Sequence, residues 1–336
     1  MNEGLKFYDN TELSCHRGCN RKYYFRHEVG IRGVGRPSPY LAFGSAWHTA
    51  MDTVWPILIN DKEQDDLKVI RAAFEVWAAK WIEEGMPSQS DIGPEEKEWL
   101  KFRNPDTAIE MLASYVADQR RFLETKVDEI VGIERPFAVP LLPDNDKLWY
   151  CGRLDKAIRM DGQVYIVDHK TTADYRISGG FSQRFVDSFS PNSQMDGYAY
   201  AGNLLWPKEF GGVLIDAALV HKEKRAFRII PVSRSYDQLD AWLWEALEEV
   251  RRVEHNRAIA KESKGDFLAA FPKNTGACYD YGSSCVYMDL CKGMADPQAW
   301  IATNGVPDGY EVSRWSPFDV NKLEGIGFNK EKVEHG

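Results

Sequence analysis

One dipeptide constrains this chain more than any other feature: Asp161-Gly162, set between two segments rich in apolar and β-branched residues. Asp-Gly is a strong signal for a two-residue hairpin, because that turn needs positive φ at both central positions. The flanking segments 148–160 and 163–170 read as its strands. With Asp161 and Gly162 as the loop, Met160 pairs with Gln163, and counting outward places Asp155 opposite Asp168. Directly opposed residues share a face, with Cβ atoms about 4.5–5.5 Å apart. Lys170, two residues beyond Asp168, shares that face with Val164 and Ile166, whereas His169 points away. Two carboxylates so close repel unless something positive lies between them. The cluster therefore reads in one of two ways. It is a cross-strand Asp–Lys ion pair at a sheet edge, or it is a site for Mg2+ or Mn2+, which carboxylate oxygens suit, with a lysine beside it.

The rest of the chain sets this hairpin in an α/β core. Residues 41–60 fit a helix with a kink near Pro56, and 65–84 fit an amphipathic helix, with Leu67, Ile70, Ala73, Phe74, Trp77 and Trp81 at helical spacing. Residues 94–124 read as a further helix broken at Asn104-Pro105. The period then changes: a strand over 127–139, the hairpin, a helix over 193–206, and strands over 212–221 and 226–232. A long charged helix follows over 236–264, and 267–336 reads as irregular. The glycines of 30–39 do not follow a strand to open a βαβ unit, so that segment reads as a flexible loop. The order of elements predicts an α/β core with helical decoration, not a doubly wound sheet.

Composition narrows the function classes. Hydrophobic residues make up 43% of the 336, with 11 Trp, which supplies a sizeable core and excludes a disordered chain. A net charge of −9 excludes a polycation that holds nucleic acid by bulk charge, though not a local basic groove. No apolar run approaches the ~18 residues of a membrane span. The first ten residues, MNEGLKFYDN, hold no signal-peptide core, so a cytoplasmic protein is expected. Six cysteines stand at 15, 19, 151, 278, 285 and 291. Cys151 lies in a strand pattern and reads as a small buried residue. The late trio, Cys278-x6-Cys285-x5-Cys291, reads either as metal or cluster ligands or as unligated thiols.

The motifs together resemble a known family. Gly152-Arg153-Leu154-Asp155 followed by Val167-Asp168-His169-Lys170-Thr171 is similar to the PD-(D/E)xK nuclease signature. Gly44-Ser45-Ala46-Trp47-His48 and Gln194-Met195-Asp196-Gly197-Tyr198 resemble the G-x-x-x-H and Q-x-x-x-Y motifs of its RecB-like branch. Cys19-Asn20-Arg21-Lys22-Tyr23-Tyr24 and the late trio resemble the cysteine motifs of the iron–sulfur members, the Cas4 and AddB nucleases among them. The resemblance runs from about residue 8 to 293. It implies a restriction-endonuclease-like core, a central mixed sheet flanked by helices. It implies one nuclease domain over 1–295, with a helical insertion at 60–125, a catalytic core at 127–235, a cysteine loop at 275–293 and a tail at 296–336 without a readable motif.

The resemblance also implies roles. Asp155 and Asp168 would be metal ligands for Mg2+ or Mn2+, joined by His48 and the backbone carbonyl of His169, and Lys170 would be the catalytic lysine. Gln194 and Tyr198, four apart on one helix face, would contact the nucleic acid or support the lysine. Glu134, on the preceding strand, is a further candidate near the metal. Cys19, Cys278, Cys285 and Cys291 would hold a [4Fe–4S] cluster, with zinc as the alternative metal and Cys15 as the alternative fourth ligand. Arg21, Lys22 and Tyr23 are candidates for DNA contact, the alternative for the aromatics being the core. The implied activity is a metal-dependent DNA exonuclease acting on single strands or ends, with a helicase or recombination partner as a further expectation. The alternatives are a non-catalytic DNA-end-binding or assembly subunit, a CRISPR-adaptation nuclease, and an enzyme acting on RNA.

Overall fold

The computed structural model describes residues 5–142, 147–176, 178–262, 270–280, 283–294, 296–314 and 324–325. Much of the expected tail, at 315–323 and 326–336, lies outside these residues, as do 263–264 of the long helix. In chain order the main elements are β1 (Lys6–Tyr8), α1 (Asn10–Gly18), α2 (Asn20–Tyr23), β2 (Ile31–Gly33), α3 (Pro39–Asn60), α4 (Asp66–Glu83), α5 (Pro94–Leu100) and α6 (Pro105–Lys126). Then come β3 (Glu129–Pro140), β4 (Leu148–Met160), β5 (Gln163–Thr172), α7 (Gln183–Asp187), α8 (Ser193–Leu205), β6 (Phe210–Leu219), β7 (Phe227–Val232) and α9 (Tyr236–Glu262). The predicted helices and strands of the middle of the chain are present within a few residues of their expected bounds. Two caps show why. Asn104 accepts from Thr107 N at 2.9 Å with Pro105 at the first helical position, which starts α6 where the break was expected. Asn192 caps α8 in the same way.

The chain forms two compact units. The first contains Pro37–Arg135 and Arg153–Ser235. Its strands lie in the order β3-β4-β5-β6-β7. β4 and β5 are antiparallel, β5 and β6 parallel, and β6 and β7 antiparallel, so the sheet is mixed. β6 reads Val213-Leu214-Ile215-Asp216-Ala217-Ala218-Leu219 and is buried throughout, as a strand paired on both sides and covered on both faces must be. α3, α4 and α6 build one large core with Ile158, Val167, Leu214 and Ala218 of the sheet; Trp47, Trp55, Trp77 and Trp81 are its largest members. α8 packs on β6 with Gly202 at the contact, where a Cβ would come within 2.2 Å of the Phe210 ring.

The second unit contains Met1–Arg36, Pro136–Gly152 and Tyr236–Gly336. β1 pairs in parallel with β4 at Leu148–Tyr150, and Glu324–Gly325 pairs in parallel with β3 at Phe137–Ala138. Asp9 caps α1 by accepting from Thr11 N and Glu12 N. The segment expected as a flexible loop after Gly30 instead contains β2, antiparallel to Tyr310–Val312. Its partner strand lies far along the chain, so no local pattern announces the pairing. Among the described residues no helix is long and apolar enough to cross a membrane.

Candidate active site

The hairpin forms as its turn chemistry requires. Asp161 and Gly162 adopt φ of 48° and 77°, and five pairs follow in the expected register, from Met160 with Gln163 to Lys156 with Val167. Asp155 and Asp168 are the next residues on each strand. Lys170 Nζ lies 2.7 Å from Asp168 Oδ2. Asp155 Oδ2 lies 3.1 Å from His48 Nδ1 and accepts the backbone N–H of His169 at 3.0 Å. α3 therefore delivers His48 to the same acid that the hairpin positions. The structure brings Asp155, Asp168, Lys170 and His48 together in one unit.

Electrostatics divides the two acids. Burial alone would push both carboxyls up. At Asp155 this is outweighed by His48, then His169 and Lys170, which hold its carboxyl well below the usual range. Asp168 is pushed up, by burial first, with Asp155 adding to the rise against the pull of Lys170. Burial also works against charge on Lys170 and His48. Asp168 and Asp155 overcome it at the lysine, and Asp155 and then Asp168 at the histidine, so both pKa values are raised. The site thus holds a firmly ionised acid, a second acid that protonates more easily, and a lysine and a histidine that each hold a proton more tightly than usual.

The other predicted residues fall as follows. Tyr198 donates its hydroxyl to the Arg153 carbonyl at 3.2 Å, and Gln194 Nε2 donates to that hydroxyl at 3.3 Å, so the pair sits against β4 two residues from Asp155. Glu134 lies at φ 46°, a strained value for a non-glycine residue in a strand, and its Oε2 is 2.7 Å from Arg153 Nε. Burial pushes the Glu134 carboxyl up; Arg153 opposes this and the nearby Asp155 adds to it. His169 lies in register with Asp216 of β6 within the strand ladder. In the other unit, Tyr23 is fully buried and Arg21 is 4% exposed, its Nε donating to the Phe271 carbonyl. The Tyr23 ring therefore has no face open to a base. Lys22 is exposed.

The expected cofactors require correction. Among the described residues no group of three or more His, Cys, Asp or Glu is placed to hold a metal ion. The expected Mg2+ or Mn2+ ligands do not form a ligand set: Asp155 is turned to His48 and a backbone N–H, and Asp168 to Lys170. These residues do not fit the implied cation. The expected [4Fe–4S] cluster, and zinc with it, is overturned in the same way. Cys19, Cys278, Cys285 and Cys291 do line one cavity, but its volume is about 20 Å³. That is room for about one water molecule. None of the six cysteines is in a disulfide, and burial pushes the thiols of Cys15 (up to about 11) and Cys291 above their ordinary range. Cys19 Sγ accepts the N–H of Asn274 at 3.3 Å. The resemblance to the iron–sulfur members therefore fails, while that to the wider superfamily stands.

Sequence reasoning missed a buried polar chain behind the site. Lys156, His169 and Asp216 have no exposure. Lys156 donates to Asp52 and lies 3.0 Å from His169 Nε2. His169 Nδ1 is 2.8 Å from Asp216 Oδ2, which also accepts from the Tyr115 hydroxyl at 2.7 Å; Trp55 Nε1 donates to that hydroxyl at 2.8 Å. Burial pushes the His169 pKa down, with Lys156 adding to this against Asp216, so the ring is neutral. One signal was available: Asp216 is the lone acid in an otherwise apolar strand.

Two acids and a lysine on adjoining strands of a mixed sheet, met by a histidine from a covering helix, define a class of α/β proteins with an acid–base site at the sheet. The chain matches the PD-(D/E)XK nuclease superfamily over residues 10–292, and it belongs to that superfamily. A comparison with curated proteins found no match.

Proposed function

We propose that this protein hydrolyses phosphodiester bonds of DNA, releasing nucleotides from single strands or ends. The observation that carries the reading is the convergence of Asp155, Asp168, Lys170 and His48 in a member of a nuclease superfamily. Lys170 keeps its proton beside Asp168, so its ammonium offsets the negative charge that grows on a phosphate under attack. Asp155 stays ionised and, with His48, orients the proton of an attacking water. Gln194 and Tyr198 brace β4 from α8 and so hold the strand that carries Asp155.

The test is end-labelled single-stranded DNA, its duplex and the equivalent RNA, incubated with wild type and Lys170→Ala over a range of buffer salts, divalent cations included. Stepwise shortening of single-stranded DNA by wild type alone supports the reading. Absence of cleavage by a folded wild type on every polymer refutes it and turns attention to a non-catalytic binding role.

A further inference from the structure

Tyr40, Gly44, His48 and Asp52 recur every four residues and form one stripe along α3. Asp52 receives Lys156, and His48 meets Asp155. At Gly44 a Cβ would lie 3.3 Å from Oγ1 of Thr171, the residue after Lys170. The eight residues from His48 back to Tyr40 span about 12 Å along the axis.

At that far end, rings and cations gather from four segments of the same unit. The Arg103 guanidinium stacks 3.6 Å from the Tyr40 ring centre and 4.6 Å from that of Phe102. Phe102 faces His221 at 6.0 Å, His221 meets Tyr175 edge-on at 4.6 Å, and Lys224 Nζ stands 4.3 Å from the Tyr175 ring centre. β5 and β6 run parallel, so Tyr175 and His221 leave the sheet at the end toward which Lys170 lies. Tyr40 is 55% exposed although Arg103 covers one of its faces, and Tyr175 is 38% exposed. Arg103 is 4% exposed, its Nη1 has no hydrogen-bond partner, and among the described residues no carboxylate pairs with it. A purely structural cluster would bury its rings. This one leaves Tyr40 and Tyr175 partly exposed and sets a cation against each ring.

We propose that Tyr40 and Tyr175 stack the bases of a single-stranded nucleic acid whose scissile phosphodiester lies at Asp155, Asp168 and Lys170. The inference rests on the nuclease reading above. Stacking on a tyrosine needs an unpaired base with a free face, which a duplex does not offer, so the cluster selects single strands. At ~3.4 Å per stacked nucleotide, 12 Å is three to four nucleotides from the site, and fewer if the strand is extended.

The experiment uses the full chain in a Lys170→Ala background, so that binding is read without cleavage. Anisotropy titrations compare a labelled oligothymidylate with an abasic oligomer of equal phosphate number. The parent should favour oligothymidylate. Tyr40→Ala with Tyr175→Ala should weaken that binding by about thirty-fold or more, leave abasic binding unchanged, and erase the preference. Tyr40→Phe with Tyr175→Phe should restore it, because the ring and not the hydroxyl stacks; thermal unfolding of both double variants checks the fold. An unchanged Kd for the alanine pair, or equal losses on both oligomers, overturns the inference. If wild type still cleaves DNA in that case, only this inference falls. If wild type neither cleaves nor binds nucleic acid, the nuclease reading falls with it.

Discussion

Removing the Asp216 side chain should cost more stability than its single methylene and carboxyl suggest. Asp216 is unexposed, and its Oδ2 accepts from Tyr115 at 2.7 Å and faces His169 Nδ1 at 2.8 Å. Each hydrogen bond to a buried acid contributes roughly 1.5–3 kcal/mol, and Asp216→Ala also leaves both donors buried without a partner. Because the two bonds share one acceptor they do not add fully, so the expected loss is about 3–5 kcal/mol. Against a total of roughly 5–15 kcal/mol this is a large fraction. Trp47, Trp55, Trp77 and Trp81 lie in the same unit as Asp216 and report its unfolding by fluorescence. With a urea slope of about 2 kcal/mol per M, the midpoint should fall by roughly 1.5–2.5 M. Asp216→Asn keeps an acceptor for Tyr115 and puts an amide where Oδ1 has no partner, so it should lose about 1–3 kcal/mol. An Asp216→Ala protein within about 0.5 kcal/mol of wild type would refute the view that this acid anchors the buried chain behind the site.

Two further outcomes are expected. Burial pushes Glu12 up to about 7, against the hydrogen bond from Tyr23 and the charge of Arg257. A carboxyl raised on folding contributes stability that is fully present below its unfolded pKa and is lost as pH rises through the folded one. The melting temperature of wild type minus that of Glu12→Gln should therefore fall between about pH 4.5 and 7; a difference that does not vary with pH would contradict this. Protein purified without oxygen should lack the visible absorption of an iron–sulfur cluster and carry no stoichiometric iron or zinc, and Cys285→Ser should melt close to wild type, whereas stoichiometric metal would show that the cysteine cavity does hold a metal.

The parts of this site that were legible in the sequence are those written in adjacent residues. Asp161 and Gly162 select their turn by backbone conformation, and the two-residue period of a strand then places Asp155, Asp168 and Lys170 without further information. The four-residue period of a helix does the same for Gln194 with Tyr198. Lys156 is not legible in this way: a lysine after a strand acid reads as surface, and only the fold encloses it between His169 and Asp52.

What the sequence determined by itself is the hairpin, its register and the identity of its acids, because turn and strand geometry depend on neighbours in the chain. Only the tertiary structure decided that Tyr23 is buried while Tyr40 is open, that β2 pairs with Tyr310–Val312, and that the four cysteines close on about 20 Å³. Burial and cavity size are set by segments hundreds of residues apart, and no local pattern carries the distance between them.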